Sequence, residues 1–100
     1  MHDITRELEI ASIRDKALRA FAETGVARGL REPKRLAKML SFIVAAGEFG
    51  DLAAPPNFGF HPLKGDREGT YAMTVTRNWR LTFTKVDETT VGDLDLEDYH

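Results

Sequence analysis

One hundred residues with 14 Lys and Arg against 16 Asp and Glu give a net charge of −2, a length that holds one small core and leaves no room for a second domain, so residues 1–100 read as a single domain. The apolar share of 42% and charged share of 30% are those of a globular chain, and the longest apolar stretch, residues 40–46, is too short to cross a bilayer. The absence of cysteine excludes disulfides, thiolate metal sites and a cysteine nucleophile.

Residues 1–8 are polar and unpatterned, which predicts a loose arm. Three acids within the first nine residues do not fit a secretory signal, so a cytoplasmic protein without membrane contact is expected. Ile10, Ile13, Ala17, Leu18 and Phe21 then take helical spacing. This predicts a first helix over residues 12–23 with Ser12 as its N-cap and Gly25 as its stop, and room for a short strand ahead of it. Glu32-Pro33 opens a second helix whose apolar stripe is Leu36, Met39, Leu40, Ile43 and Val44, ended by Gly47 and Gly50. Between Arg14 and Lys38 lie eight bases and three acids, whereas residues 51–100 hold five bases and nine acids. The mild net charge therefore hides a basic first half, which reads either as an ordinary solvated face or as a surface for RNA.

The stiff segment 53–57 leads into a strand expected over residues 58–63, and residues 65–69 read as a turn. Tyr71, Met73 and Val75 alternate with threonines and Ala72, and Trp79, Leu81 and Phe83 alternate with Arg80, Thr82 and Thr84. Each is a strand with one apolar and one polar face, the pair hinged at Arg77-Asn78. A last strand covers residues 90–96. The order, two helices and then strands, predicts an α+β domain with helices on one sheet face and the other face open.

The alternation sets the Arg80 guanidinium on the polar face of a central strand. There it either closes a cross-strand ion pair or holds charge on a phosphorane. His61 lies near Lys64 and Arg67, a group able to bind a phosphate while the imidazole moves a proton, although a polar turn would look the same. Asp98-Tyr99-His100 close the sequence. If the last strand runs that far, Asp98 lies near the His100 ring and favours its protonated form, which suits a general acid. No phosphate-cradling glycine loop, paired-histidine zinc motif or serine nucleophile elbow is present.

Three segments, residues 61–69 (His-Pro-Leu-Lys-Gly-Asp-Arg-Glu-Gly), 78–83 (Asn-Trp-Arg-Leu-Thr-Phe) and 97–100 (Glu-Asp-Tyr-His), resemble in order and spacing the landmarks of HigB-type toxins in the RelE/ParE superfamily. A fainter likeness lies in residues 21–25 and Gly29-Leu30. The resemblance implies a RelE-like fold, two N-terminal helices on one face of a twisted, mainly antiparallel sheet, whose open face takes mRNA on the ribosome. It implies cleavage without metal or cofactor, by attack of the ribose 2′-hydroxyl on the adjacent phosphate to leave a cyclic phosphate. His61, Arg80, Asp98, Tyr99 and His100 match the active-site positions, with Arg80 on the phosphorane, His100 as acid for the 5′-oxygen, His61 or Asp98 as base, and Tyr99 against a nucleobase. Lys64 and Arg67 would bind RNA phosphate, and Arg14, Lys16, Arg19, Arg31, Lys34, Arg35 and Lys38 would face ribosomal RNA.

The implied partners are the ribosome with its mRNA, a HigA-like helix-turn-helix antitoxin and, through that complex only, operator DNA. Two other readings compete. ParE-like toxins of the same superfamily poison DNA gyrase but generally lack the histidines and the terminal acid-tyrosine-histidine group. A catalytically inert member would only bind antitoxin and operator.

Overall fold

In a computed structural model of the chain, residues 7–98 are described. Residues 1–6 of the predicted arm, and the candidate site residues Tyr99 and His100, lie outside the described residues. Two helices pack on one face of a five-stranded sheet of order β1-β5-β4-β3-β2, the layering that the sequence predicts. The strands are β1 (Glu9–Ile10), β2 (His61–Pro62), β3 (Thr70–Thr74), β4 (Trp79–Asp87) and β5 (Thr90–Asp98). β1 runs parallel to β5, and the other pairs are antiparallel.

Helix α1 (Lys16–Thr24) starts later than the apolar spacing predicts, because Asp15 caps it by accepting the Leu18 N–H at 2.8 Å. Ser12 has a different partner. It stays extended beyond β1, and its hydroxyl accepts the Asp93 N–H at 2.8 Å. Gly25 stops the helix in the left-handed conformation at φ 79°, where a side chain would be strained. Helix α2 (Pro33–Ala45) begins on its proline as expected. Of its stripe, Leu36, Met39 and Ile43 are fully buried while Val44 stays 37% exposed, because a helix of this length turns only part of the stripe toward the sheet.

The helical Leu18, Leu36, Met39 and Ile43 meet Met73, Val75, Leu81, Phe83, Val91 and Leu94 from the sheet in one apolar core. Leu8 joins them at 2% exposure, so the predicted arm is already anchored there, with its N–H donating to the Ala46 carbonyl at 3.0 Å. Phe49 stands edge-on to Tyr71 at 4.8 Å, and Phe60 stacks on Tyr71 at 5.5 Å, which closes the core at the β2 edge.

The expected strand over residues 58–63 shrinks to His61–Pro62. Asn57, Phe58 and Gly59 all have positive φ, at 36°, 48° and 72°, and three such residues turn the chain instead of extending it. Phe58 is held in that conformation by the Phe42 ring at 5.5 Å and by the Arg35 guanidinium at 5.2 Å from its ring centre. Arg35 also donates from Nε to the Val75 carbonyl and from Nη2 to the Thr74 carbonyl, the latter at 3.2 Å. It therefore ties α2 to the end of β3. Arg35→Ala should cost about 2 kcal/mol, since both carbonyls lose a charged donor, and lower Tm by roughly 10 °C. Thermal unfolding by circular dichroism measures this, and Arg35→Lys should recover little, because an ammonium cannot fork to two carbonyls.

Candidate active site on the open sheet face

The register builds the site. His61 pairs with Ala72, Ala72 with Thr82 and Thr82 with Asp95, in one row across four strands. One step along, Thr74 pairs with Arg80 and Arg80 with Glu97. Directly paired residues share a face, and so do residues two apart. Met73 and Leu81, between these rows, point into the core. Both rows therefore stand on the face away from the helices.

Arg80 occupies that face on β4, with its side chain 20% exposed. The expected choice between an ion pair and an exposed guanidinium resolves into a shared arrangement around Glu97. Arg67 grips the Glu97 carboxylate with two parallel bonds, Nη1 to Oε1 at 3.1 Å and Nη2 to Oε2 at 2.7 Å. Thr82 donates its hydroxyl to Oε2 at 2.7 Å, and Arg80 Nη2 reaches Oε1 at 3.4 Å. Thr82 is only 2% exposed beneath them. The bonds from Arg67, joined by the Thr82 hydroxyl and the Arg80 charge, hold the Glu97 carboxyl at about 2 against an ordinary 4.5, with burial opposing them.

A depressed carboxylate stabilises the fold fully above its unfolded value, and that contribution disappears as the group protonates. The Glu97 share should therefore be complete above pH 4.5 and vanish as pH falls toward about 2. Tm measured against pH should show a shallower acid decline in Glu97→Gln than in the wild type.

Sequence reasoning missed Glu97 as a functional residue. A signal existed, since Leu94 and Leu96 point the same way by alternation and leave Asp95 and Glu97 to the polar face. Beside the cluster lies an open groove of about 230 Å³ whose lining includes Arg14, Arg67, Thr82, Thr84, Asp93 and Glu97.

His61 stands at the edge of this face on β2, exposed, with Nδ1 2.8 Å from the Gly59 carbonyl. A carbonyl only accepts, so Nδ1 carries hydrogen and the neutral ring keeps its lone pair on Nε2. The turn that supplies this carbonyl needs its glycine. Gly59 has φ 72° and a Cβ there would lie 3.1 Å from Thr74 Oγ1. The Asn57 side chain fixes the turn by accepting the Gly59 N–H at 2.9 Å.

Lys64 is exposed ahead of the 3₁₀ turn Gly65–Arg67 and borders a second hollow of about 420 Å³ with Glu68 and Tyr71. Asp98 pairs with Trp79, so alternation turns its side chain to the helix side, away from Arg80 and Glu97. His61, Arg80 and Arg67 thus share a face, and Asp98 does not.

The basic residues of the first half divide. Arg35 is spent on β3, Arg31 covers the Trp79 ring at 4.9 Å, Arg19 donates to the Ile13 carbonyl at 3.2 Å, and Arg14 meets Asp93 at 3.5 Å. Lys16, Lys34 and Lys38 are exposed on the helices. Among the described residues no helix is long and apolar enough to cross a membrane.

A family described as the RelE-like toxin of type II toxin-antitoxin system HigB matches residues 11–100. Among curated proteins, the chain is similar to the endoribonuclease HigB of Proteus vulgaris, 40% identical over 96 residues that cover 91% of this chain and 99% of that one. Among solved structures, a YafQ mutant from E. coli superposes with a TM-score of 0.60 at 17% identity, covering 94% of this chain and 93% of that one. The YoeB dimer from Staphylococcus aureus superposes with a TM-score of 0.57 at 21% identity, covering 94% and 98%. At such identities the likeness is one of fold, and the fold is the helices-on-sheet arrangement expected of RelE-like toxins.

Proposed function

The chain belongs to the HigB family of RelE-like toxins of type II toxin-antitoxin systems, and on that premise we propose that it is an endoribonuclease, as its Proteus vulgaris relative is named, cutting mRNA in the ribosomal decoding site to arrest translation. The observation that carries this reading is the Arg80 guanidinium on the middle of the open sheet face, with His61 on the same face two strands away. Two strand spacings amount to roughly 10 Å, room for a nucleotide between them.

His61 Nε2 takes the proton of the ribose 2′-hydroxyl, whose oxygen bonds to the adjacent phosphorus. Arg80 binds the charge gathering on the phosphorane oxygens. The bond from phosphorus to the 5′-oxygen breaks, and His100, matching the family's acid position, protonates that oxygen, leaving a cyclic phosphate and a free 5′-hydroxyl. Tyr99 stacks on or orients a base. The roles need side chains only, and no metal or cofactor takes part. Asp98, on the helix-side row, is not the base.

Lys64 binds a neighbouring phosphate, and Lys16, Lys34 and Lys38 supply most of the charge that meets ribosomal RNA, with Arg14, Arg19, Arg31 and Arg35 contributing what their internal contacts leave. In the cytoplasm the toxin is held by an antitoxin, a HigA-like helix-turn-helix protein, and reaches operator DNA only through that complex. The test is a reconstituted translation reaction with mRNA ends mapped by primer extension. Cleavage within translated codons, only when ribosomes are present, is the expected result. Intact mRNA with folded wild-type protein overturns the reading.

A further inference from the structure

Glu97 carries no role in the cleavage scheme above, yet three residues of the open face hold its carboxylate. Both its oxygens are occupied, by Arg67, Thr82 and Arg80. A bare carboxylate beside a reacting phosphodiester would repel it. Here the Arg67 fork neutralises the carboxylate, so the trio of Arg67, Glu97 and Arg80 keeps a net charge of one positive unit, the complement of one phosphodiester.

The two ends of this chain of contacts differ in rigidity. Thr82 and Arg80 stand two residues apart on β4, and Glu97 lies directly opposite Arg80 on β5. Thr82 thus fixes Glu97 from the same strand that bears Arg80. An arginine side chain carries about 2 kcal/mol of rotamer entropy, while transition-state donors must sit within a few tenths of an ångström of the developing charge. A carboxylate anchored on its far side is a means to reconcile the two. We propose that Glu97 is a positioning residue: gripped by Arg67 and Thr82, it holds the Arg80 guanidinium aimed at the scissile phosphate of the RNA. This inference rests on the nuclease reading given above.

Glu97→Gln keeps the length of the side chain and its bond from Thr82 but loses the charge that Arg67 and Arg80 share. The expected result in single-turnover cleavage of mRNA on the ribosome is a fall of about a hundredfold in kcat, the scale of an ångström of misplacement. KM should stay level or fall, because one acid has left an RNA-binding face. In an Arg80→Ala background the same substitution should change the rate by less than about threefold, since there is no guanidinium left to aim. A purely structural role would instead multiply the two losses. Thr82→Val, which removes only a hydroxyl, gives the second measurement should Glu97→Gln not fold. It should lower kcat by about tenfold, the value of one bond to a charged group, again only when Arg80 is present. Wild-type kcat in either folded variant, or full losses in both backgrounds, overturns the inference while leaving the nuclease reading intact. Uncut mRNA with the wild-type protein overturns both.

Discussion

Arg80→Ala should lower the rate of mRNA cleavage by about a hundred- to a thousandfold, the usual loss when a preorganised donor to a developing oxyanion is removed, and leave Tm nearly unchanged. The two halves of this expectation have separate grounds. Arg80 lies at the centre of the open face on a strand whose register is set by Trp79, Leu81 and Thr82, so the backbone does not depend on it. Glu97 does not become an orphan, because Arg67 and Thr82 continue to hold it. Arg80→Lys should recover only part of the loss, since an ammonium restores the charge and not the planar fork. The measurement is single-turnover cleavage at one codon, read by primer extension, alongside thermal unfolding of each variant. A wild-type rate in folded Arg80→Ala would remove the guanidinium from the chemistry.

Part of the basic face is committed to contacts within the fold once the side chains are placed. Eight bases between Arg14 and Lys38 read as one electrostatic surface, yet Arg35 serves two carbonyls of β3 and Arg31 lies on Trp79. A guanidinium can stack, fork and cap with its planar donors, whereas a lysine keeps a strongly hydrated head in water. Arg35 is the arginine drawn inward; Arg14, Arg19, Arg28 and Arg31 stay exposed beside Lys16, Lys34 and Lys38 and remain, with them, for a polyanionic partner.

How far the sequence could be read follows from the range of the interactions involved. Tyr71, Met73, Leu81 and Phe83 declare their strands by alternation, a period set by the backbone itself, and the same alternation puts Arg80 on the polar face. The α2 helix is equally local, with Pro33 at its start and Leu36, Met39 and Ile43 on one side. The Glu97 cluster is not local. It joins a loop arginine to a residue 30 positions later, and that residue to Arg80, 17 positions before it. Whether those side chains meet depends on a register that shifts between Thr82 and Thr84, opposite Gly92, Asp93 and Asp95. A slip of one residue there would set Asp98 beside Arg80 and turn Glu97 toward the helices. Sequence reasoning alone could not choose between them, and it grouped Asp98 with Arg80. The turn at Asn57, Phe58 and Gly59 escaped for a similar reason. Phe58 is β-prone in isolation, and the distant Phe42 ring and Arg35 guanidinium favour its left-handed conformation.

That turn bears directly on the base. The residues matching the family's active-site positions offer two candidates, His61 and Asp98, and their placements differ. His61 shares the open face and has its Nδ1 committed to the Gly59 carbonyl at 2.8 Å, which leaves Nε2 as the ring nitrogen available to take a proton. Asp98 sits opposite Trp79 on the other side of the strand. His61→Ala should therefore slow cleavage by about a hundred- to ten-thousandfold, the range for a lost proton-transfer group, whereas Asp98→Asn should stay within about tenfold of the wild type. Gly59→Ala supplies a check that leaves the imidazole in place. A Cβ at φ 72° and 3.1 Å from Thr74 Oγ1 must displace the carbonyl, so cleavage should fall while ribosome binding, measured by co-sedimentation, holds. If Asp98→Asn proves the slower enzyme and His61→Ala the faster, the proton leaves toward the helix-side row, and the end of β5 must rearrange when RNA binds.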